Sequence, residues 1–187
     1  MVGRKHTDQS GAAAGRDIVG RDKVTHVYSY RESIVSSLLK KLEAERSNNQ
    51  TFDGLIAELQ HFRTPMEEEP VGLETKLTDG GRQDLFQNAV KEKELFAKRL
   101  ARDQLWKSGQ DLYAYLLGRI RDRFIASIPP MLEADATPAA IDSALVESVI
   151  EPVMNELDPS GLDLNTTHLR GMVYFLTGNC FLKWTGG

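Results

Sequence analysis

From Ser33 onward the apolar positions recur at helical spacing. Ile34, Leu38, Leu39 and Leu42 form one stripe, and Phe52, Ile56, Leu59 and Phe62 form a second after the polar loop Ser47 to Gln50. Pro65 and Pro70 close that helix around Glu67, Glu68 and Glu69, and Asp79 to Gly81 reads as a turn. The pattern then predicts a long amphipathic helix from Gln83 to about Trp106, with Phe86, Val90, Phe96, Leu100 and Trp106 inward. Gly109 is expected to interrupt it. A second helix follows from Gln110 to Ile128, carrying Leu112, Tyr115, Leu116, Ile120 and Phe124, and Pro129 and Pro130 stop it. Thr137 before Pro138 is an N-cap with proline at the first helical position, so a further helix carries Ile141, Leu145, Val149, Ile150, Val153 and Leu157, kinked or split at Pro152. The last helix runs from about Thr166 to Thr177 with Gly178 as its C′ residue, and Met172 to Leu176 leave it almost no polar side. Asn179 to Trp184 then reads as a short extended tail.

The first 30 residues follow a different pattern. Residues 1 to 14 are Gly, Ala and polar, and read as disordered, whereas Gly15 to Val19 and Gly20 to Val24 are a tandem five-residue repeat leading into the β-prone stretch Thr25 to Tyr30. An odd repeat flips equivalent side chains between strand faces unless the chain is reset, and Gly15 and Gly20 supply that reset. Two short arcs bury little, so the repeat calls for partner strands, most simply from other copies of the chain. The expected oligomerisation or recruitment residues are Gly15, Arg16, Asp17, Ile18, Val19, Gly20, Arg21, Asp22 and Val24. The expected architecture is all-α: one compact helical domain over 31–187, with residues 1–30 as leader and Gly-Arg-Asp repeat.

Bulk composition narrows the function. A chain of 187 residues with 41% hydrophobic content can bury one sizeable core. A single cysteine, no signal-peptide core and no apolar run near the ~20 residues of a membrane span fit a cytoplasmic protein. Net charge is -4, but it is unevenly spread: Arg82 to Arg123 holds ten basic and six acidic residues, and Met131 to Asp163 eight acidic and no basic ones. Lys98, Arg99, Arg102, Arg119 and Arg123 are the candidates for nucleic-acid or partner contact, although the interleaved Glu92, Glu94 and Asp103 resemble a solvated helix face.

Catalytic patterns are missing. There is no phosphate-binding loop, and His6, His26, His61 and His168 show no metal-ligand spacing, so neither cofactor nor metal is expected. Cys180 with His168 is the one conceivable nucleophile and base, against the plainer reading of Cys180 as a small buried hydrophobe. Glu147, Glu151 and Glu156 read as surface.

Several stretches carry a family likeness: Gly72 to Leu77, Leu95 to Leu100, Tyr113 to Leu117, Val149 to Leu157 and, above all, Gly171 to Trp184. Over roughly residues 31 to 184 the chain resembles the small helical domain of bacterial ABC-three-component conflict systems, the group that includes Lamassu-type antiphage defence. The resemblance implies a non-enzymatic domain working beside an SMC-like ABC ATPase and a middle component, often fused to an effector. This chain carries the repeat tail where a fused nuclease or protease would stand. The expectation is a non-catalytic adaptor that docks on that complex and self-associates or recruits through its repeats. A nucleic-acid-binding helical module and a Cys180/His168 hydrolase are the alternatives.

Overall fold

Ser33 accepts a hydrogen bond from the Ser36 amide, and the first helix, α1 (Ile34–Ser47), starts from that cap. Residues 33–68, 71–157 and 164–186 are described in the structure, a computed structural model; the repeats Gly15 to Val24 lie outside them. After α1 come α2 (Ala57–Arg63), α3 (Leu73–Asp79), a 3₁₀ turn (Gln83–Leu85), α4 (Phe86–Asp103), α5 (Lys107–Ser127), α6 (Pro129–Glu133), α7 (Pro138–Ala144), a π-helical turn (Leu145–Ile150), α8 (Glu151–Met154) and α9 (Thr166–Gly178). The described residues contain no strand and fall within one unit, Glu32–Gly187.

Helix α5 is the axle. Leu112, Tyr113, Leu116, Leu117, Ile120 and Phe124 are all fully buried, which spreads apolar contact around more than one face. It packs against α1, α2, α6, α8, α9 and the π-helical turn. The most extensive helix pair is α4 with α9. Ala89, Phe96 and Leu100 are the apolar side of α4, while α9 buries Leu169, Met172, Val173 and Leu176. Gly171 lets the two backbones meet, because a Cβ there would overlap the Glu92 carbonyl oxygen and the Phe96 Cβ. Phe96 in turn meets Tyr113 and Phe175 edge-on, at 5.8 and 5.3 Å between ring centres.

Several boundaries differ from the sequence reading. The break between the two long helices falls at Gln104 to Trp106, and Gly109 sits within the first turn of α5, lying against the Asp103 carbonyl where a side chain would collide. Val90 and Ile34 point outward, and Ala89 and Val35 take the inward places. Pro129 and Pro130 open α6, as prolines in a first helical turn do.

The Thr137 cap is present, its side chain accepting from the Ala140 amide, and Ile141, Leu145, Val149, Ile150, Val153 and Leu157 are all buried. Upstream of Pro152 the helix widens to the π-helical turn. The Ser148 carbonyl, four residues before a proline that has no amide hydrogen, accepts from Arg123 Nη1 at 3.4 Å.

The chain after α9 is no loose tail. Cys180, Phe181, Leu182 and Trp184 are buried. Gly178 is the last helical residue, and the left-handed position falls on Cys180, at φ 66°. The Cys180 amide donates to the Thr177 carbonyl at 3.1 Å and the Phe181 amide to the Leu176 carbonyl at 2.9 Å, the paired bonds of a Schellman cap.

Candidate functional site

Three polar centres punctuate this helical core. The first is Asp103, the final residue of α4 and fully buried. Arg46 Nη2 from α1 donates to its Oδ1 at 2.7 Å, Arg102 Nε reaches the same oxygen at 2.8 Å, and the Tyr113 hydroxyl donates to Oδ2 at 2.7 Å. Arg99 Nε lies 3.5 Å from Oδ2. Burial alone would raise the carboxyl pKa, but the hydrogen bonds from Arg102 and Tyr113 and the charge of Arg46 outweigh it and hold Asp103 below its ordinary value. Burial and the facing carboxylate push the Tyr113 phenol up strongly. Beside this centre, the Arg46 guanidinium lies over the Trp106 ring at 5.1 Å.

Close by, the buried Gln110 amide gathers three backbone groups. Its Nε2 donates to the carbonyls of Gly54 and Gln104 at 2.8 and 2.7 Å, and its Oε1 accepts from the Ile56 amide at 2.7 Å. The loop before α2 is thereby held to the start of α5.

The second centre is Glu156, just after α8. It was expected on the surface, but it is partly buried and receives Arg119 Nε at 3.1 Å, the Tyr115 hydroxyl at 3.0 Å and, further off, Arg123 Nη2 at 3.9 Å. Its pKa is lowered: burial opposes, and the hydrogen bonds from Arg119 and Tyr115 prevail. Glu147 and Glu151 are exposed, as expected.

The five nominated basic residues therefore do not make one surface. Arg99 and Arg102 share Asp103, Arg119 and Arg123 share Glu156, and Lys98 pairs with Glu94 one helical turn away at 2.7 Å. Only Lys98 and Arg102 are more than half exposed.

The third centre gathers around Gly171 to Trp184. The Trp184 indole N–H donates to Thr177 Oγ1 at 3.1 Å, its ring meets Phe124 edge-on at 5.2 Å, and the buried Arg82 guanidinium stands 6.0 Å over it. Arg82 pairs with Asp142 at 2.8 Å and Asp84 at 3.3 Å. Asn179 donates to the Phe62 carbonyl at 2.9 Å and accepts from the Met66 amide at 3.2 Å, which ties α2 and the chain after it to the end of α9. Lys76 Nζ donates to the Thr177 carbonyl at 2.8 Å and lies 2.8 Å from Cys180 Sγ.

His168 belongs to the other end of α9, where it completes a capping box with Asn165. It stands twelve positions before Cys180, roughly 18 Å at the helical rise, so the two do not meet as nucleophile and base. The sequence reading missed Asp103, Glu156, Arg82, Lys76 and Gln110. The only sequence signal for them was a charged or amide residue at an inward helical position, which Asp103 and Gln110 occupy.

Fold and polar centres together describe an all-helical domain whose buried charges clamp one helix to another. The chain belongs to the family of C-terminal domain 9 of the ABC-three component (ABC-3C) systems, whose model matches residues 72–184. No curated protein and no solved structure matches the chain. The matched region starts at α3 and ends on Trp184, so it takes in Asp103, Glu156 and Trp184 at the three polar centres but leaves out Arg46, which α1 brings to the first. No described helix is long and apolar enough to cross a membrane.

Proposed function

We propose that this chain is a non-catalytic adaptor of an antiphage ABC-three component system. Its helical domain docks on the complex of the SMC-like ABC ATPase and the middle component, and the repeats at Gly15 to Val24 gather copies of the chain or recruit an effector. The observation that carries this reading is the family match over residues 72–184. The pairing of Arg99 and Arg102 with Asp103 and of Arg119 and Arg123 with Glu156 adds support, because it ties these side chains to carboxylates of the helical core instead of gathering them on one basic surface for a phosphate backbone.

The docking face is the acidic one. Glu133, Asp135, Glu147 and Glu151 are exposed on a stretch that has no basic residue, and such a field steers a basic partner patch. The test is co-expression of the chain with the ATPase and middle component of its system, followed by affinity purification. The complex is expected to be recovered, and to weaken at least tenfold when Glu147 and Glu151 are both changed to Lys. Failure to recover either component, together with steeply salt-dependent binding of duplex DNA by the chain alone, would overturn the proposal in favour of a nucleic-acid module.

A further inference from the structure

We propose that Lys76 and Cys180 are the two ends of a redox switch, a covalent Nζ–O–Sγ bridge that forms under peroxide and ties α3 to the chain leaving α9. The nitrogen and sulfur stand 2.8 Å apart. That spacing is ordinary for N–H···O but short for sulfur, whose larger radius keeps a simple hydrogen-bond donor further away. It is room for one bridging oxygen and nothing more. The pair, rather than the thiol alone, makes the site.

Both partners are held in place. Lys76 Nζ also donates to the carbonyls of Thr177 at 2.8 Å and Gly178 at 3.4 Å, which hold its end beside the thiol. Cys180 is fixed as the left-handed residue of the α9 cap. Although Cys180 is buried, it and Lys76 line a small cavity of about 150 Å³ together with Val71, Leu182 and Trp184, large enough to admit peroxide. Glu67 and Lys183, 4.0 Å apart, also line it.

The oxidant is hydrogen peroxide. One molecule converts the thiol to a sulfenic acid and leaves as water, forming the S–O bond. In the second step the N–O bond forms between Nζ and the sulfenic oxygen. One proton from nitrogen and one from the sulfenic O–H, with two electrons, reduce a second peroxide to two waters. Counted from neutral thiol and amine, two peroxides give the bridge and three waters. Four electrons from two molecules of dithiothreitol reverse it, returning thiol, amine and one water.

The experiment is intact-mass and tryptic-peptide spectrometry of the full chain, reduced and then treated with peroxide. The bridge adds one oxygen and removes two hydrogens, a gain of about 14 Da that dithiothreitol abolishes, and it joins the Lys76 and Cys180 peptides. The bridged protein is also expected to melt several degrees higher than the reduced one. Lys76→Arg keeps the positive cap but is expected to lose the mass gain, as is Cys180→Ser, whereas Lys183→Arg keeps it. Unreacted Cys180, or sulfinic and sulfonic acids at about 32 and 48 Da as the only products in the wild type, would overturn the proposal. So would a reducible gain of about 14 Da that survives in Lys76→Arg.

Discussion

Asp103 is a carboxylate out of reach of water, and its worth depends on what surrounds it. Its removal takes the shared carboxylate away from Arg46 and from the Tyr113 hydroxyl, so Asp103→Ala is expected to cost about 3 to 5 kcal/mol, the range for breaking a buried ion pair from one side. Equilibrium urea unfolding measures it. The lowered carboxyl pKa gives the pH dependence its sign. A group held below its unfolded value contributes fully above that value, about 4 for an aspartate, and its contribution is lost as pH falls through the lowered one. Glu156 acts in the same direction. Stability should therefore drop below about pH 4, and Asp103→Asn should flatten part of that fall. A variant whose acid limb overlays the wild type would show that other carboxylates set the profile.

Among the helices, the contact of α4 with α9 is the one most exposed to a single change. Alanine in place of Gly171 gains up to about 1 kcal/mol of helix propensity. Its Cβ, however, meets the Glu92 carbonyl and the Phe96 Cβ, and backbone cannot yield as a flexible side chain would. Overpacking of this kind costs about 1 to 3 kcal/mol, so Gly171→Ala is expected to be destabilising on balance, and Gly171→Val more so. A Gly171→Ala melting temperature at or above wild type would mean that the two helices simply move apart.

The same interface shows what the sequence made legible. Periodicity found α4, α5 and α9 and the buried face from Ile141 to Leu157, because apolar spacing near 3.6 is imposed by the core itself. It could not show that Phe175, one of the residues that leave α9 almost no polar side, is only partly buried, because Gly171 rather than an apolar side chain marks the line of closest approach. It took Gly178 for the left-handed cap residue, since glycine usually fills that place, and here Cys180 does. The polar centres stayed hidden for another reason. Nothing local distinguishes Glu156 from Glu147 and Glu151, and only the long-range meeting with Arg119 does.

For the whole molecule, the repeats and the helical domain should be separable. In the proposed assembly of the repeats, cross-strand pairs among Arg16, Asp17, Arg21 and Asp22 would be worth about 0.2 to 1 kcal/mol each, so assembly should depend on concentration or on a partner that gathers chains. Light scattering on the full chain, on a form lacking residues 1 to 30 and on Gly15→Val with Gly20→Val is expected to give a larger mass only for the first. Unfolding of the helical domain should be unchanged in all three. Equal masses over a wide concentration range, with and without the ATPase, would reduce the repeat to a leader.

Gln110 carries a consequence for how the chain meets a protease. The stretch from Asn48 to Ile56 has the polar, helix-free look of a natural cutting site, yet Phe52 donates its amide to the Leu105 carbonyl, and Gly54 and Ile56 are bonded to the Gln110 side chain. Cleavage needs several residues of backbone to be released at once, and each of these bonds opposes that release. Chymotrypsin should spare Phe52 and Leu55 in the native protein. In Gln110→Ala the same two residues should become early cuts, so that a side chain more than fifty positions away in the chain guards this loop against digestion.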